Sequence, residues 1–355
     1  MIRFTPKHRI SVLLIISTVF LTSCNGAIPG LAPTQTITPA PTNTLTPTET
    51  LTPTVTPLPP VGVLLAPPEA DSELVDEMQT LLSEWIPALG YRFQVRPSLT
   101  LDDLDRDEFK LIVVLPPAPG LGALVAAAPN ARFLSVGIKG LEPAPNLSAI
   151  GPDGDHLDHQ GFIAGYMSAV ITPDWRTGVI GVADSGAAVE ARQAFVTGVE
   201  FFCGLCLPSY PPYFEYPLYF ELNSGADTIE WRAAADFMIH RSVETVYVVP
   251  GAGDDAMLRH LSQSGVNIIG GGSPLNDIGG QWVASLRFDP LQAFQDFWPD
   301  FAAGLDGQSI TVPLTITDVN PELLSPGRQR AVEEILVDVL AGFVNLGIET
   351  PEENP

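Results

Sequence analysis

The sequence predicts an α/β protein of two lobes, each a largely parallel sheet with helices on both faces, carried on a long extended tether. Three observations lead there. From Val61 onward, short apolar runs alternate with amphipathic segments, the pattern of strand–helix–strand crossovers. That stretch is roughly 290 residues long, generous for one open sheet, so two lobes are expected. Ahead of it, residues 28–60 hold nine of the 35 prolines and show no apolar periodicity.

The N-terminus opens with Arg3, Lys7 and Arg9 and no acid, followed by the apolar run Ile10–Leu21. Twelve such residues are too few for a comfortable membrane span, and the pattern is that of an export signal. The run ends in Leu21-Thr22-Ser23-Cys24, with small residues before the cysteine. This resembles a bacterial lipoprotein signal, which implies cleavage before Cys24 and lipid on that residue. Acyl chains on Cys24 would replace the removed segment as the anchor. Residues 1–23 are therefore the expected signal peptide, and 24–60 the lipidated cysteine plus linker. In the linker, Thr38-Pro39, Thr46-Pro47, Thr52-Pro53 and Thr56-Pro57 fix φ and push each preceding residue to extended backbone. Such a chain is a semi-rigid spacer of up to ~3.1 Å per residue.

From Val61 the expected elements follow in order. Val61–Ala66 is a buried strand and 71–86 a helix with Leu74, Met78, Leu81, Leu82 and Trp85 on one face. Strands are expected at 91–96, 110–115 (stopped by Pro116-Pro117), 132–136 and 147–150, with a small helix at 120–128. Helices at 161–170, 187–202, 227–240 and 254–262 alternate with strands at 177–182, 214–220, 244–249 and 266–269. A strand at 282–288, a helix at 290–303, a strand at 310–317 and a helix at 326–346 close the chain. Lobe 1 is expected over about 61–155 plus the segments after about 289, and lobe 2 over about 172–280. In open α/β sheets ligands sit at the carboxyl ends of the strands. Two lobes facing each other make a cleft there.

The charge narrows the partners. Asp and Glu number 41 against 17 Lys and Arg, a net charge of −24, and signal cleavage removes three bases and no acid. A surface so acidic repels phosphate backbones, which argues against nucleic acid. The chain has no G-x-S-x-G, H-E-x-x-H or P-loop motif, and only five histidines, so no enzyme constellation is expected.

The stretch Gln160-Gly-Phe-Ile-Ala-Gly-Tyr-Met-Ser-Ala169, then Thr177-Gly-Val-Ile-Gly-Val182, then Ala194-Phe-Val-Thr-Gly-Val199 resembles the basic membrane protein family. These are purine nucleoside receptor A-like lipoproteins. Val248-Val-Pro-Gly-Ala-Gly253 and Val266-Asn-Ile-Ile-Gly270 resemble its later strand and loop segments. The resemblance covers about residues 147–289. It implies a two-lobed type I periplasmic-binding-protein-like fold and capture of a small molecule, nucleoside-like, for an ABC-type permease, without a cofactor. It also implies hinge closure over the solute, the closed form being the one a permease recognises. The chain departs from the family at two loops. Ala66-Pro-Pro-Glu-Ala-Asp71 lacks the usual aromatic, and in Gly270-Gly-Gly-Ser-Pro-Leu-Asn-Asp277 the usual acid is missing or displaced to Asp277. A ligand-sensing or surface-interaction lipoprotein not coupled to transport is the alternative.

Candidate ligand-binding residues, taken from expected strand ends, are Asp71, Lys139, Asp184, Asp254, Asn276, Asp277 and Trp282. Gly251-Ala-Gly253-Asp-Asp-Ala256 has the form of a dinucleotide loop but lacks the acid on the next strand, so it is expected to be a tight turn. Cys203 and Cys206 follow an export signal and the C-terminal end of a helix. A structural disulfide is expected there rather than a redox pair, because the helix dipole is wrong for a reactive thiolate. Asp153-Gly-Asp155-His156-Leu-Asp158-His159 collects oxygen and imidazole donors but matches no full EF-hand loop. It is expected to cap the helix that follows, and no metal is assigned.

The lipoprotein reading predicts a mature chain that begins at an acylated Cys24 and enters the detergent phase on partitioning. Cys24→Ala should leave the chain at precursor mass and without incorporated fatty acid, by mass spectrometry and acyl labelling.

Overall fold

A computed structural model describes residues 58–104 and 108–348. The expected signal, Cys24 and all but the last residues of the tether lie outside the described residues.

The chain starts in one sheet, with β1 (Val61–Leu65), α1 (Ser72–Ala88), β2 (Arg92–Arg96), α2 (Leu101–Leu104), β3 (Phe109–Val114), α3 (Leu121–Ala127), β4 (Arg132–Val136) and β5 (Leu147–Ile150). It then builds a second with α4 (Leu157–Ile171), β6 (Thr177–Val182), α5 (Gly186–Cys203), β7 (Leu218–Leu222), α6 (Thr228–His240), β8 (Thr245–Val248), α7 (Asp255–Gln263), β9 (Asn267–Gly270) and β10 (Trp282–Phe288). It returns to the first for α8 (Pro290–Ala303) and β11 (Ser309–Ile310), and ends at the second with β12 (Leu314–Thr317) and α9 (Pro326–Leu340). The first sheet has the order β11-β5-β4-β3-β1-β2 and the second β12-β10-β9-β8-β6-β7. All pairings are parallel except that of β12 with β10. The chain therefore passes between the sheets three times, at β5–α4, β10–α8 and β11–β12.

Each sheet is covered on both faces, which is why β1 (VGVLL) and β6 (TGVIGV) are buried along their whole length rather than alternating. In the first lobe, α1 and α8 lie on one face, where Trp85, Phe294, Trp298 and Phe301 stack together. The other face packs residues of α2 and α3. In the second lobe, α4, α5 and α9 cover one face and α6 and α7 the other.

The closest helix pair is α4 with α5, and glycine makes it possible. A Cβ on Gly161 would collide with the Ala191 carbonyl, one on Gly165 with the Phe195 carbonyl, and one on Gly198 with the Phe162 carbonyl. These glycines belong to two of the segments that carry the family resemblance, 160–169 and 194–199. Their chemistry is close backbone approach, as in any small-residue helix seam.

Four expectations need correction. The strand expected at 310–317 is two strands in different sheets, because Pro313 lies between them and cannot donate to a ladder. Residues after 289 do not all join the first lobe: β12 pairs with β10, and α9 packs on α4. The second lobe also extends past 280, since β10 stands inside its sheet. The last helix stops at Leu340, ahead of Gly342 at φ +72°. No helix among the described residues is long and apolar enough to cross a membrane.

Gly165→Ala should cost at least about 1–3 kcal/mol through overpacking. Gly186→Ala, at a position where a Cβ meets nothing, should be close to neutral. Denaturant midpoints of the two variants check this.

Candidate functional site

Strand ends decide which residues the lobes present to each other, and hydrogen bonding then decides which of those side chains are free. Asp71 precedes α1 and accepts from the amides of Glu73 and Leu74 at 2.9 and 3.0 Å, so its carboxylate is first of all a helix cap. Asp254 caps α7 in the same way, accepting from the Met257 amide at 2.8 Å. Asp184 holds the turn after β7, taking the Ser224 amide and hydroxyl at 2.9 and 2.8 Å. Those two bonds, the amide first, keep its carboxyl below the usual range. Asp277 pairs with Arg259 at 2.9 Å, and Lys139 with Asp155 at 3.3 Å. Asn276 is exposed in the loop after β9.

Trp282 is a correction. It is 3% exposed, its ring lies over Gly270 where a Cβ would strike it, and its Nε1 donates to Ser285 Oγ at 3.1 Å. The Gly-rich loop folds away and the indole turns into the core of the second lobe, so it is not a cleft aromatic. The Gly251–Gly253 loop is the tight turn expected: both glycines have positive φ, +87° and +77°.

What the structure does bring together between the lobes is a cavity of about 470 Å³. Its first wall is the opening turns of α1, with Asp71, Glu73, Leu74 and Glu77. Its second is the crossover from β10 into α8, Arg287 to Leu291, together with Thr315 and Thr317 of β12. Of the candidate binding residues, only Asp71 lines it. Asp289, also on its wall, is occupied as the cap of α8.

Arg287 is the one basic side chain on this wall, and a polar network holds it. Its Nη2 donates to Ser273 Oγ at 2.7 Å and to Asp318 Oδ2 at 2.5 Å. Ser285 Oγ lies 2.7 Å from both Asp318 Oδ2 and the Gly272 carbonyl, and accepts from Trp282. Trp282 thus reaches the site indirectly, by anchoring the serine behind the arginine's partner. The Ser285 hydroxyl, and after it Arg287, holds the Asp318 carboxyl below the usual aspartate range against the opposing push of partial burial. Arg287 Nε is buried and has no hydrogen-bond partner in this network. A buried donor left unpaired is costly.

Behind the same crossover, Gln160 near the start of α4 is fully enclosed. Its Nε2 donates to the Leu286 carbonyl at 2.6 Å and its Oε1 accepts from Tyr247 Oη at 2.7 Å. Complete burial pushes the Tyr247 phenol far above its ordinary pKa, so it stays a donor. This bond pair fixes the start of α4 to β8 and β10.

Just ahead of Gln160, the donor-rich run is not the simple cap expected. His156 occupies the N-cap position but makes no side-chain capping bond. The His156 and His159 rings stack at 4.9 Å, and their nitrogens lie 3.8 and 3.9 Å from the two oxygens of Asp158. Burial, reinforced by His156 and opposed by Asp158, lowers the pKa of His159. Cys203 and Cys206 stand together at the end of α5 with Cα atoms 5.2 Å apart, inside the range a disulfide needs. A second cavity, about 400 Å³, lies within the first lobe at the ends of β1, β2 and β3, walled by five prolines with Leu65, Leu99 and Leu121.

No family model and no curated protein matches the sequence. Solved structures do match. An ABC transporter solute-binding protein from Conexibacter woesei aligns at TM-score 0.57 with 15% identity, over 82% of this chain and all of that one. A second such protein, from Aeropyrum pernix, aligns at 0.50 with 13% identity, over 83% of this chain and 95% of its own. A transcriptional activator of the comK gene from Bacillus halodurans also aligns at 0.50, with 15% identity, over 82% of this chain and all of its own. The fold is type I periplasmic-binding-protein-like. The 470 Å³ cavity lies beside the β10–α8 and β11–β12 crossovers.

The depressed Asp318 carboxyl sets a pH dependence. A group with lowered folded-state pKa contributes stability that is complete above its unfolded value, ~3.9, and is lost as pH falls through the folded value. The stability deficit of Asp318→Asn relative to wild type should therefore be constant between pH 7 and about pH 5 and shrink in stronger acid. Urea titrations across that range measure it.

Proposed function

We propose that the protein is an extracytoplasmic solute-binding lipoprotein, anchored through Cys24, that captures a small molecule between its lobes and presents it to an ABC-type permease. The observation that carries this is the interlobe cavity with the fixed guanidinium of Arg287 on its wall. A volume of about 470 Å³ is in the range of small-molecule sites. Because the walls belong to both lobes, a bound solute gains contacts when they close, which is how a ligand favours the closed form.

The lining also sets the solute's chemistry. Asp318 already balances Arg287, and Glu73 and Glu77 add uncompensated negative charge. Such a wall repels phosphates and favours an uncharged solute with hydroxyl and carbonyl groups, or one bearing an amine. A nucleoside, the class implied by the sequence resemblance, meets that description, and a nucleotide does not. A Cys203–Cys206 disulfide fits an exported chain and completes this reading.

A thermal-shift screen of the purified chain, followed by calorimetry on hits, tests it. A nucleoside at about 100 times its Kd should add ~2.7 kcal/mol of stability, a rise of roughly 5–10 °C in Tm. Its monophosphate should give no response. Arg287→Ala should weaken binding more than about tenfold, since one charged hydrogen bond contributes 1.5 kcal/mol or more. Silence across nucleosides, sugars and amino acids would overturn the solute-binding reading.

A further inference from the structure

We propose that His156, Asp158 and His159 form a binding site for a divalent transition-metal cation of the Zn²⁺ type, at the passage from the first lobe to the second. The argument starts from chain geometry. His156 sits at φ −79°, ψ 77°, just outside the helix, and the next residues enter the first turn of α4. Residues three apart on a helix share a face, so His159 comes up beside His156 and the rings stack 17° from parallel. The non-helical bend at His156 swings Asp158 onto the same face. One nitrogen from each imidazole and one carboxylate oxygen then lie within 4.8 Å of one another.

The contacts inside this group are not hydrogen bonds. At 3.8 and 3.9 Å the nitrogen–oxygen distances are beyond that range. Nor does either imidazole make a hydrogen bond with another described residue. Around a tetrahedral ion with bonds of about 2.0–2.1 Å, ligand atoms lie ~3.4 Å apart. The three donors need move inward only by side-chain rotation, and their side chains are 35%, 19% and 21% exposed, so they are neither locked nor free. Two imidazoles with one carboxylate is a borderline-soft donor set, suited to zinc, nickel or copper rather than calcium or magnesium, which take oxygen cages.

The field of the helix opposes a cation here, since an N-terminus carries about half a positive charge. A full carboxylate at Asp158 outweighs it. Lys139 is paired with Asp155. All three ligands come from one four-residue segment, so the site exists whatever the separation of the lobes. Solvent or a bound group would complete the coordination. The site is independent of the solute reading, and its failure would leave that reading untouched.

Titration of the full chain with Co²⁺ and Zn²⁺ decides the matter, with Co²⁺ visible absorption and a competing zinc indicator as readouts. One metal per chain is expected, with Co²⁺ bands of a nitrogen-containing, low-coordinate site. Losing one first-layer imidazole should weaken binding at least about tenfold, because even outer partners cost that much. His156→Ala and His159→Ala should both show it, with circular dichroism unchanged. His156, the more accessible of the two imidazoles and without a capping bond, is the decisive variant if His159→Ala folds poorly. The double variant His240→Ala/His260→Ala should bind as wild type does, and excess Ca²⁺ should displace nothing. The proposal is overturned by binding that is absent or substoichiometric, that survives His156→Ala, that depends on His240 and His260, or that yields to Ca²⁺.

Discussion

The backbone contact between α4 and α5 is the constraint on which the arrangement of the second lobe rests. Gly161 and Gly165 on one helix and Gly198 on the other let carbonyls approach where any Cβ would collide. With α4 pressed this closely, its first turn arrives at the carboxyl edge of β8 and β10, where Gln160 closes two buried hydrogen bonds. A buried amide so placed cannot shift without leaving both partners unsatisfied, at a cost of about 1–3 kcal/mol each. The passage from β5 into α4 is thereby fixed at its second-lobe end. The crossover from β10 into α8 is fixed one strand residue beyond, since Leu286 accepts from Gln160 and Arg287 follows it.

That coupling places a hydrogen-bonded wall opposite one carried by the other lobe. Behind Arg287 stands a chain of partners, Asp318, Ser285, Trp282 and Ser273, held by strand β10, the loop before it and the end of β12. In front is the first turn of α1, which belongs to the other lobe. The guanidinium is held by its hydrogen bonds without a ligand, and such preorganisation lowers the ordering cost of binding. Under the proposed capture of a solute, the acidic wall opposite would move with the lobe that carries it.

Much of the fold was legible in the sequence. The fully apolar runs Val61–Leu65 and Thr177–Val182 announced central parallel strands, and the alternation with amphipathic segments announced the layers. The acids before helices were legible as a class too, but their role was harder to read. Asp71 and Asp254 stand at strand ends, where ligand-binding residues also stand, and only the hydrogen bonds show them capping helices. Arg287, not among the candidates, carried a signal too: it lies one residue from the carboxyl end of the strand at 282–288, whereas Trp282 stands at its other end.

The sequence by itself determined the local matters: the strand–helix alternation and the glycines a close helix pair needs. These follow from backbone sterics and from periodicity, which act over a few residues. Tertiary structure alone decided which strand ends face each other. Pro313 splits one apparent strand between two sheets, α9 returns to the second lobe, and Trp282 turns inward over Gly270, because each of these depends on where distant segments pack. A cavity between lobes is made of residues some two hundred positions apart, such as Asp71 and Arg287, and no local pattern records that they meet.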